Sequence, residues 1–256
     1  MKIRVFEAFA GYGSQAMALQ RLAEDYPEFE YEVVGISEID KYALQAYEAV
    51  HGHCPNYGDI SKINWEDVPD FDLFTFSFPC QDISAAGMQR GLEEGSGTRS
   101  SLLWECKKAI EAKRPKYLLM ENVKALVSKK FMPFLLQWEE YLKEQGYSTF
   151  TQVLNAKNYG VPQNRERLFQ IGILDKSAHY TFPKPFPLEL RLKDVLEENV
   201  DEKYYLSDKM LEYFLRVSAD KSHNHNFNPL GGEDNANCIR CKADDRVDDN
   251  YVQENT

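Results

Sequence analysis

The sequence predicts an α/β fold, a mostly parallel doubly wound sheet over residues 1–175 with the start of a second, smaller domain behind it. Three observations predict it. Strand-like and helix-like stretches alternate to about residue 175. The first strand and first helix are joined by a Gly-x-Gly turn, Gly11-Tyr12-Gly13. An apolar run, Phe71 to Phe78, stops at Pro79, which removes a backbone donor and cannot continue a central strand.

The elements follow in order. Lys2 to Phe9 reads as a strand, and Gln15 to Ala23 is a strong helix former. Between them the glycines let the backbone approach a ligand, and the helix N-terminus offers free N–H groups. The third glycine of the dinucleotide fingerprint is missing, so a simple tight turn accounts for the spacing equally well. Tyr31 to Ser37 reads as the second strand and Tyr42 to Val50 as the next helix. Of the acids between them, Glu38 suits hydrogen bonding to ribose hydroxyls and Asp40 suits the helix cap. Tyr57 to Ile60 is an acidic turn.

Cys80 falls just past the carboxyl end of the Phe71–Phe78 strand, where open α/β sheets place ligands and chemistry. Gln81, Asp82 and Ser84 give the thiol polar company, against the ordinary reading of a free cysteine as a small buried hydrophobe. Ala85 to Ser101 is rich in Gly, Ser and Arg and reads as a loop over the site, carrying Arg90 and Arg99. Leu102 to Lys113 reads as a helix, and Tyr117 to Met120 as a strand running into Glu121-Asn122-Val123. Phe131 to Gln145 is an amphipathic helix; Thr149 to Leu154 and Leu168 to Leu174 are two more strands. Between these, Gln163, Arg165 and Arg167 make a basic cluster in what alone is a solvated hairpin. Pro183, Pro185 and Pro187 punctuate a linker, with helical patches at Leu190–Asn199 and Ser207–Val217 behind it. Beyond Ser218 the apolar content is too low for a core of its own.

Composition sets the bounds. The chain has 256 residues, enough for one substantial core, and its 43% hydrophobic and 28% charged residues are those of a globular protein. No apolar run of membrane-spanning length and no signal peptide occurs, so no membrane partner is expected. Five scattered cysteines suit reduced thiols in a cytoplasm. A net charge of −11 has the wrong sign for non-specific grip on nucleic acid, which would need a local basic patch or a further segment. Cys238 and Cys241, with His223 and His225 upstream, have a spacing that could bind zinc, but two unliganded cysteines are the expectation and no metal is assigned.

Taken together these stretches resemble the cytosine-C5 DNA methyltransferase family over residues 3–175. Phe6-Glu-Ala-Phe-Ala-Gly-Tyr-Gly-Ser14 is similar to its S-adenosylmethionine loop, with Glu7 at the acid position. Glu38 resembles its ribose acid, Asp59-Ile60 its adenine contact, and Phe78-Pro79-Cys80-Gln81 its nucleophile motif. Glu121-Asn122-Val123 resembles the motif that binds the target cytosine, and Gln163-Asn-Arg165-Glu-Arg167 its QxRxR motif. Six such motifs in the family's order are specific where one is weak. The resemblance implies a Rossmann-like methyltransferase fold, with a catalytic domain at 1–180 and a linker plus partial target-recognition region at 181–256. It implies S-adenosylmethionine as cofactor, bound by Phe9, Gly11, Gly13, Ser14, Glu38, Ile39, Asp59, Ile60, Phe78, Pro79 and Leu102, and double-stranded DNA as partner. The setting it implies is the cytoplasm of a bacterium, or a phage gene.

The implied chemistry is methyl transfer to C5 of a flipped-out cytosine. Cys80 would add to C6 as nucleophile, Arg165 would favour its thiolate, and Glu121 would protonate or hydrogen-bond N3, with Gln163 and Arg167 beside them. The family's two closing motifs do not occur here. That leaves as expectations a chain cut short, a second polypeptide supplying the remainder, or a decayed DNA-binding relic. A C5 methyltransferase acting on RNA would share every motif, and a nicotinamide or flavin oxidoreductase would share only the glycine turn and the acid.

Overall fold

The computed structural model describes residues 2–79, 99–219, 227–237 and 250–252, the side chains of 99–101 excepted. The chain forms two compact units. The first comprises residues 1–153 and 167–182, the second 154–166 and 183–256.

The first unit is built on a sheet of six strands with helices packed on it. Strand β1 (Lys2–Ala8) pairs in parallel with β2 (Glu30–Ser37) on one side and β3 (Leu73–Phe76) on the other. Strand β4 (Tyr117–Val123) continues the parallel set beside β3. Beyond it, β7 (Glu166–Ile173) runs antiparallel to β4, and β5 (Ser148–Asn155) forms the edge. The helices are α1 (Ser14–Asp25), α2 (Lys41–His51), α3 (Cys106–Lys113) and α4 (Met132–Glu144). Four adjacent parallel strands put four carboxyl ends on one edge of the sheet, and Phe9, Glu38 and Glu121 lie at or just past three of those ends.

Burial explains why these residues make a sheet. Val5, Phe6, Phe74, Phe76 and Met120 are all but fully buried, as central strands covered on both faces require. Phe6 lies 5.3 Å from the rings of both Trp65 and Phe71, and Phe76 and Trp104 meet Trp138 of α4 edge-on at 5.9 Å. Each such aromatic contributes about 1.5–3 kcal/mol by burial. Trp138 also donates to Oε1 of the buried Gln170 on β7, whose Nε2 donates to Glu139 and Thr151. That network ties α4 to the antiparallel strand and leaves no polar atom of Gln170 unmatched.

Several expectations are corrected. The ladder of the Cys80-leading strand is short, Leu73–Phe76, because Phe71 and Phe78 are buried by packing rather than by pairing. Strand β4 extends through Glu121-Asn122-Val123, because β7 pairs with it as far as Val123. The helix read from Leu102 begins as a 3-10 segment, Arg99–Glu105, and becomes α-helical only at Cys106. The loop over the site, read at Ala85 to Ser101, falls almost wholly outside the described residues.

In the second unit, the patch 190–199 is not a helix but a four-residue 3-10 turn, Leu192–Val195. The backbone N–H groups of Leu192 and Lys193 bond instead to the carbonyls of Asp234 and Gly232, and Leu190, Val195 and Leu196 stay exposed. Gln163–Asn164 is not a bare hairpin. It forms β6, parallel to β8 (Ala236–Asn237). Helix α5 (Asp208–Ala219) buries Phe214 against Phe227 and Tyr251, so the polar stretch beyond Ser218 contributes two aromatics to a shared cluster.

Candidate active site at the carboxyl edge of the sheet

At the end of β1 the chain turns sharply. Phe9 has φ 56°, and Gly11 and Gly13 have φ 58° and 82°. A left-handed phenylalanine is strained and survives only where its surroundings over-determine it. They do so here. Glu7, wholly buried at the end of β1, accepts from the Ala16 backbone N–H of α1 at 2.9 Å and from Tyr47 Oη of α2 at 2.7 Å. Burial pushes the Glu7 carboxyl above its ordinary range, and these two hydrogen bonds offset part of the rise. Gly13 is required for a second reason: a Cβ there would lie 2.5 Å from His51 and 2.7 Å from Tyr47.

Glu38, just past β2, closes on this turn. Its Oε2 accepts from the Gly11 N–H at 2.8 Å, and its Oε1 from the N–H groups of Ile39 and Asp40 at 2.8 and 2.7 Å. Asp40 caps α2, accepting from Tyr42 and Ala43. Beside the carboxylate, Ile39 presents an apolar side chain that is 78% exposed. A carboxylate with acceptor capacity to spare next to an open apolar surface fits the hydroxyls and flat base of an adenosine, so the donor set suits S-adenosylmethionine.

The other assigned cofactor residues divide. Asp59 caps the next 3-10 turn through Ser61, whose hydroxyl and N–H hold its carboxyl below the ordinary range. Ile60 is buried in the core, and Leu102 packs against it. Ser14 is exposed at the start of α1, its hydroxyl on Gln15.

At the ends of β3 and β4 a second set assembles. The buried Asn122 donates to the Phe78 carbonyl at 2.9 Å, and its Oδ1 accepts from the Val123 N–H. That amide fixes the Phe78-Pro79 turn against β4. Gln15 of α1 reaches the same turn, donating to Ser77 Oγ at 2.9 Å. Glu121 stands opposite Phe169 in the ladder, and Arg167, two residues along β7, bonds it diagonally with Nε to Oε1 at 3.1 Å. Both side chains are about one-fifth exposed.

Cys80 lies outside the described residues, as do Cys238, Cys241, His223, His225 and Arg90; of Arg99 only the backbone is described. Cys54 and Cys106 are described, and both are buried free thiols. Burial pushes Cys54 up to about 11, with the Glu7 charge adding to it, and pushes Cys106 well above its ordinary value. Neither suits a nucleophile, which needs its thiolate.

Gln163 and Arg165 belong to the second unit. Arg165 is held by its backbone: its N–H donates to Asn155 Oδ1 at 3.1 Å and its carbonyl accepts from Ala156. The sequence alone does not mark Gln15 and Tyr47 as supports of the site. Asn122 is visible only as the middle of its motif, and no local signal marks the other two, since each acts on chain far away in sequence.

The sequence profile of the C-5 cytosine-specific DNA methylase family matches residues 3–255. A type II methyltransferase of Lactococcus lactis subsp. cremoris, M2.ScrFI, is 42% identical over 82% of this chain and 71% of its own length. The type II methyltransferase M.NlaX of Neisseria lactamica is 36% identical over 85% of this chain and 67% of its own. Among solved structures, the S. pombe Dnmt2 methyltransferase superposes with a TM-score of 0.68 over 93% of this chain and 70% of that one, at 22% identity.

Proposed function

We propose, from the premise that this chain belongs to the C-5 cytosine-specific DNA methylase family, that it transfers a methyl group from S-adenosylmethionine to C5 of cytosine in duplex DNA through a covalent bond to Cys80. The observation that carries the proposal is the grip of Asn122 on the Phe78 carbonyl beside the Glu121–Arg167 pair. It fastens the turn leading into Cys80 to the strand that carries Glu121, two groups the reaction needs on one base.

S-adenosylmethionine supplies an electrophilic methyl group when bound. The Phe9–Gly13 turn and Glu38 would hold it, the turn at its methionine end and the carboxylate at its ribose; Ile39 and the Asp59-Ile60 turn would lie toward the adenine. The chain's own chemistry is the activation of the base. The Cys80 thiolate adds to C6, the ring becomes enamine-like, and electron density moves to C5. Glu121 hydrogen-bonds or protonates N3, where negative charge would otherwise build, while Arg167 orients it. C5 would take the methyl group as the methyl–sulfur bond breaks, leaving the cofactor a neutral thioether; loss of the C5 proton to a base then restores the C5–C6 double bond and expels Cys80 as its thiolate. The resemblance of their motif gives Gln163 and Arg165 a part in the reaction, Arg165 as the charge that favours the thiolate. Because C6 is out of reach inside a stacked duplex, the cytosine is flipped out.

The test is methyl transfer from labelled cofactor to duplex DNA and to RNA. Duplex DNA is the expected acceptor; transfer to RNA alone would redirect the proposal. Cys80→Ser should abolish transfer and leave cofactor affinity nearly intact. Duplex containing 5-fluorocytosine should trap an adduct, since fluorine cannot leave C5 as a proton does. An adduct mapped to another cysteine overturns the mechanism.

A further inference from the structure

We infer that Asn56 is a positioning residue for the adenosine half of the cofactor, setting the spacing between the carboxylate at the end of β2 and the Gly58–Ile60 turn. The inference rests on the reading of that edge as the S-adenosylmethionine site.

Three hydrogen bonds carry it. Asn56 Oδ1 accepts from the Glu38 N–H and from the Gly58 N–H, each at 3.0 Å, and its Nδ2 donates to the Glu38 carbonyl at 2.9 Å. The β2 ladder ends at Ser37. Just before that end, Ile36 forms a parallel bridge to Asn56. Its N–H donates to the Pro55 carbonyl, and its carbonyl accepts from the Tyr57 N–H. Ser37 Oγ adds a bond to the Gly58 carbonyl at 2.6 Å.

At Glu38 the neighbouring backbone has run out, and the Asn56 amide takes its place. It offers one acceptor and one donor, as a peptide group of an adjoining strand would. The same oxygen holds Gly58, whose φ of 69° is the left-handed turn that aims Asp59 and Ile60. One exposed side chain thus fixes two segments that sequence places some twenty residues apart. Only asparagine does this at that length: aspartate lacks the donor and alanine lacks both.

The experiment is isothermal titration of the whole chain with S-adenosylmethionine and with 5′-methylthioadenosine, which keeps the adenosine and lacks the methionine end. Asn56→Ala should weaken both by the same factor, about tenfold, so that the ratio of the two dissociation constants is that of the wild type. Gly11→Ala, strained at φ 58° in the turn assigned to the methionine end, should shift that ratio instead. Asn64→Ala, which removes a similar Asx cap from the 3-10 turn at Trp65, should change neither constant. A loss of binding-competent protein would lower the stoichiometry rather than the affinity. Should Asn56→Ala fail to fold, Asn56→Asp retains the two accepted bonds and is read in the same titration, expected weaker than wild type for both ligands. Unchanged affinity in the folded variants, or a changed ratio, overturns the inference alone. Wild-type protein that binds neither compound overturns the cofactor reading and the inference with it.

Discussion

The two halves of the strand edge are held by opposite chemistries. On the β1–β2 side two carboxylates do the work, and among the described residues their hydrogen-bond partners are neutral. Glu7 takes a backbone N–H and a phenol, and Glu38 takes three backbone N–H groups. On the β3–β4 side a neutral amide holds the turn, and the carboxylate of Glu121 is matched by the guanidinium of Arg167. The difference suits what each half is proposed to hold. A sulfonium cofactor is a cation, and Glu38, anchored by neutral donors, keeps its negative potential for it, while the buried Glu7 serves the frame. A carboxyl that must reach one nitrogen of a neutral base gains more from being aimed, and a diagonal arginine aims it.

The largest effect is expected from breaking the amide on the base side. Asn122→Ala leaves the Phe78 carbonyl without its donor in a buried setting, at a cost of about 1–3 kcal/mol in stability. It also frees the turn into Cys80, and misplacement by about 1 Å can cost about a hundredfold in rate. Single-turnover methyl transfer and urea unfolding read the two effects separately. A fall in stability with an unaltered rate would show that the turn does not need Asn122.

Arg167→Met tests the ion pair. It keeps the bulk of the side chain and removes the charge from a pair about four-fifths buried on both sides. The expected result is a rate about tenfold lower with cofactor affinity unchanged, since Glu121 keeps its place in the ladder but loses its aim. On the cofactor side, Glu38→Gln should do the reverse. One oxygen becomes an NH2 facing either the Gly11 N–H or those of Ile39 and Asp40. Cofactor affinity should fall about tenfold while the rate at saturation holds. If both variants moved rate and affinity together, the separation into two halves would be wrong.

How much of this was legible in the sequence follows the same division. The β1–turn–α1 unit, Glu38 and the Asp40 cap could be read because glycines, a helix former and an acid sit within one short stretch. Glu121 and the basic cluster were legible as types but not as partners. That Arg167 pairs with Glu121 depends on the register of an antiparallel strand more than forty residues away. The patch 190–199 is expected to be helical; the backbone of Leu192 and Lys193 instead bonds to Asp234 and Gly232, a long-range pairing that outweighs local propensity. Asn56 was invisible for the opposite reason. It looks like any turn asparagine, and its work is done on a residue eighteen positions earlier.

The smallest effect concerns Glu7, and it separates framework from site on the cofactor side. Its carboxyl is raised above the ordinary value of 4.5, chiefly by burial. Between that value and the raised one, the folded protein holds a proton that the unfolded chain has released. Stability therefore falls as pH rises through this window, and levels off at a lower value above it. Glu7→Gln cannot ionise. Its oxygen can accept from the Ala16 N–H, and its amide can donate to Tyr47 Oη, so both hydrogen bonds have a replacement. In urea unfolding at a series of pH values, the variant should gain on the wild type as pH climbs from below 4.5, and the gap should then become constant. A flat difference would mean that the wild-type carboxyl ionises as readily in the folded protein as in the unfolded chain. A gap that closes with rising pH would mean that the ionised form is the one the Ala16 and Tyr47 donors stabilise, and Glu7 would then join Glu38 as an anion kept for the cofactor rather than a part of the frame.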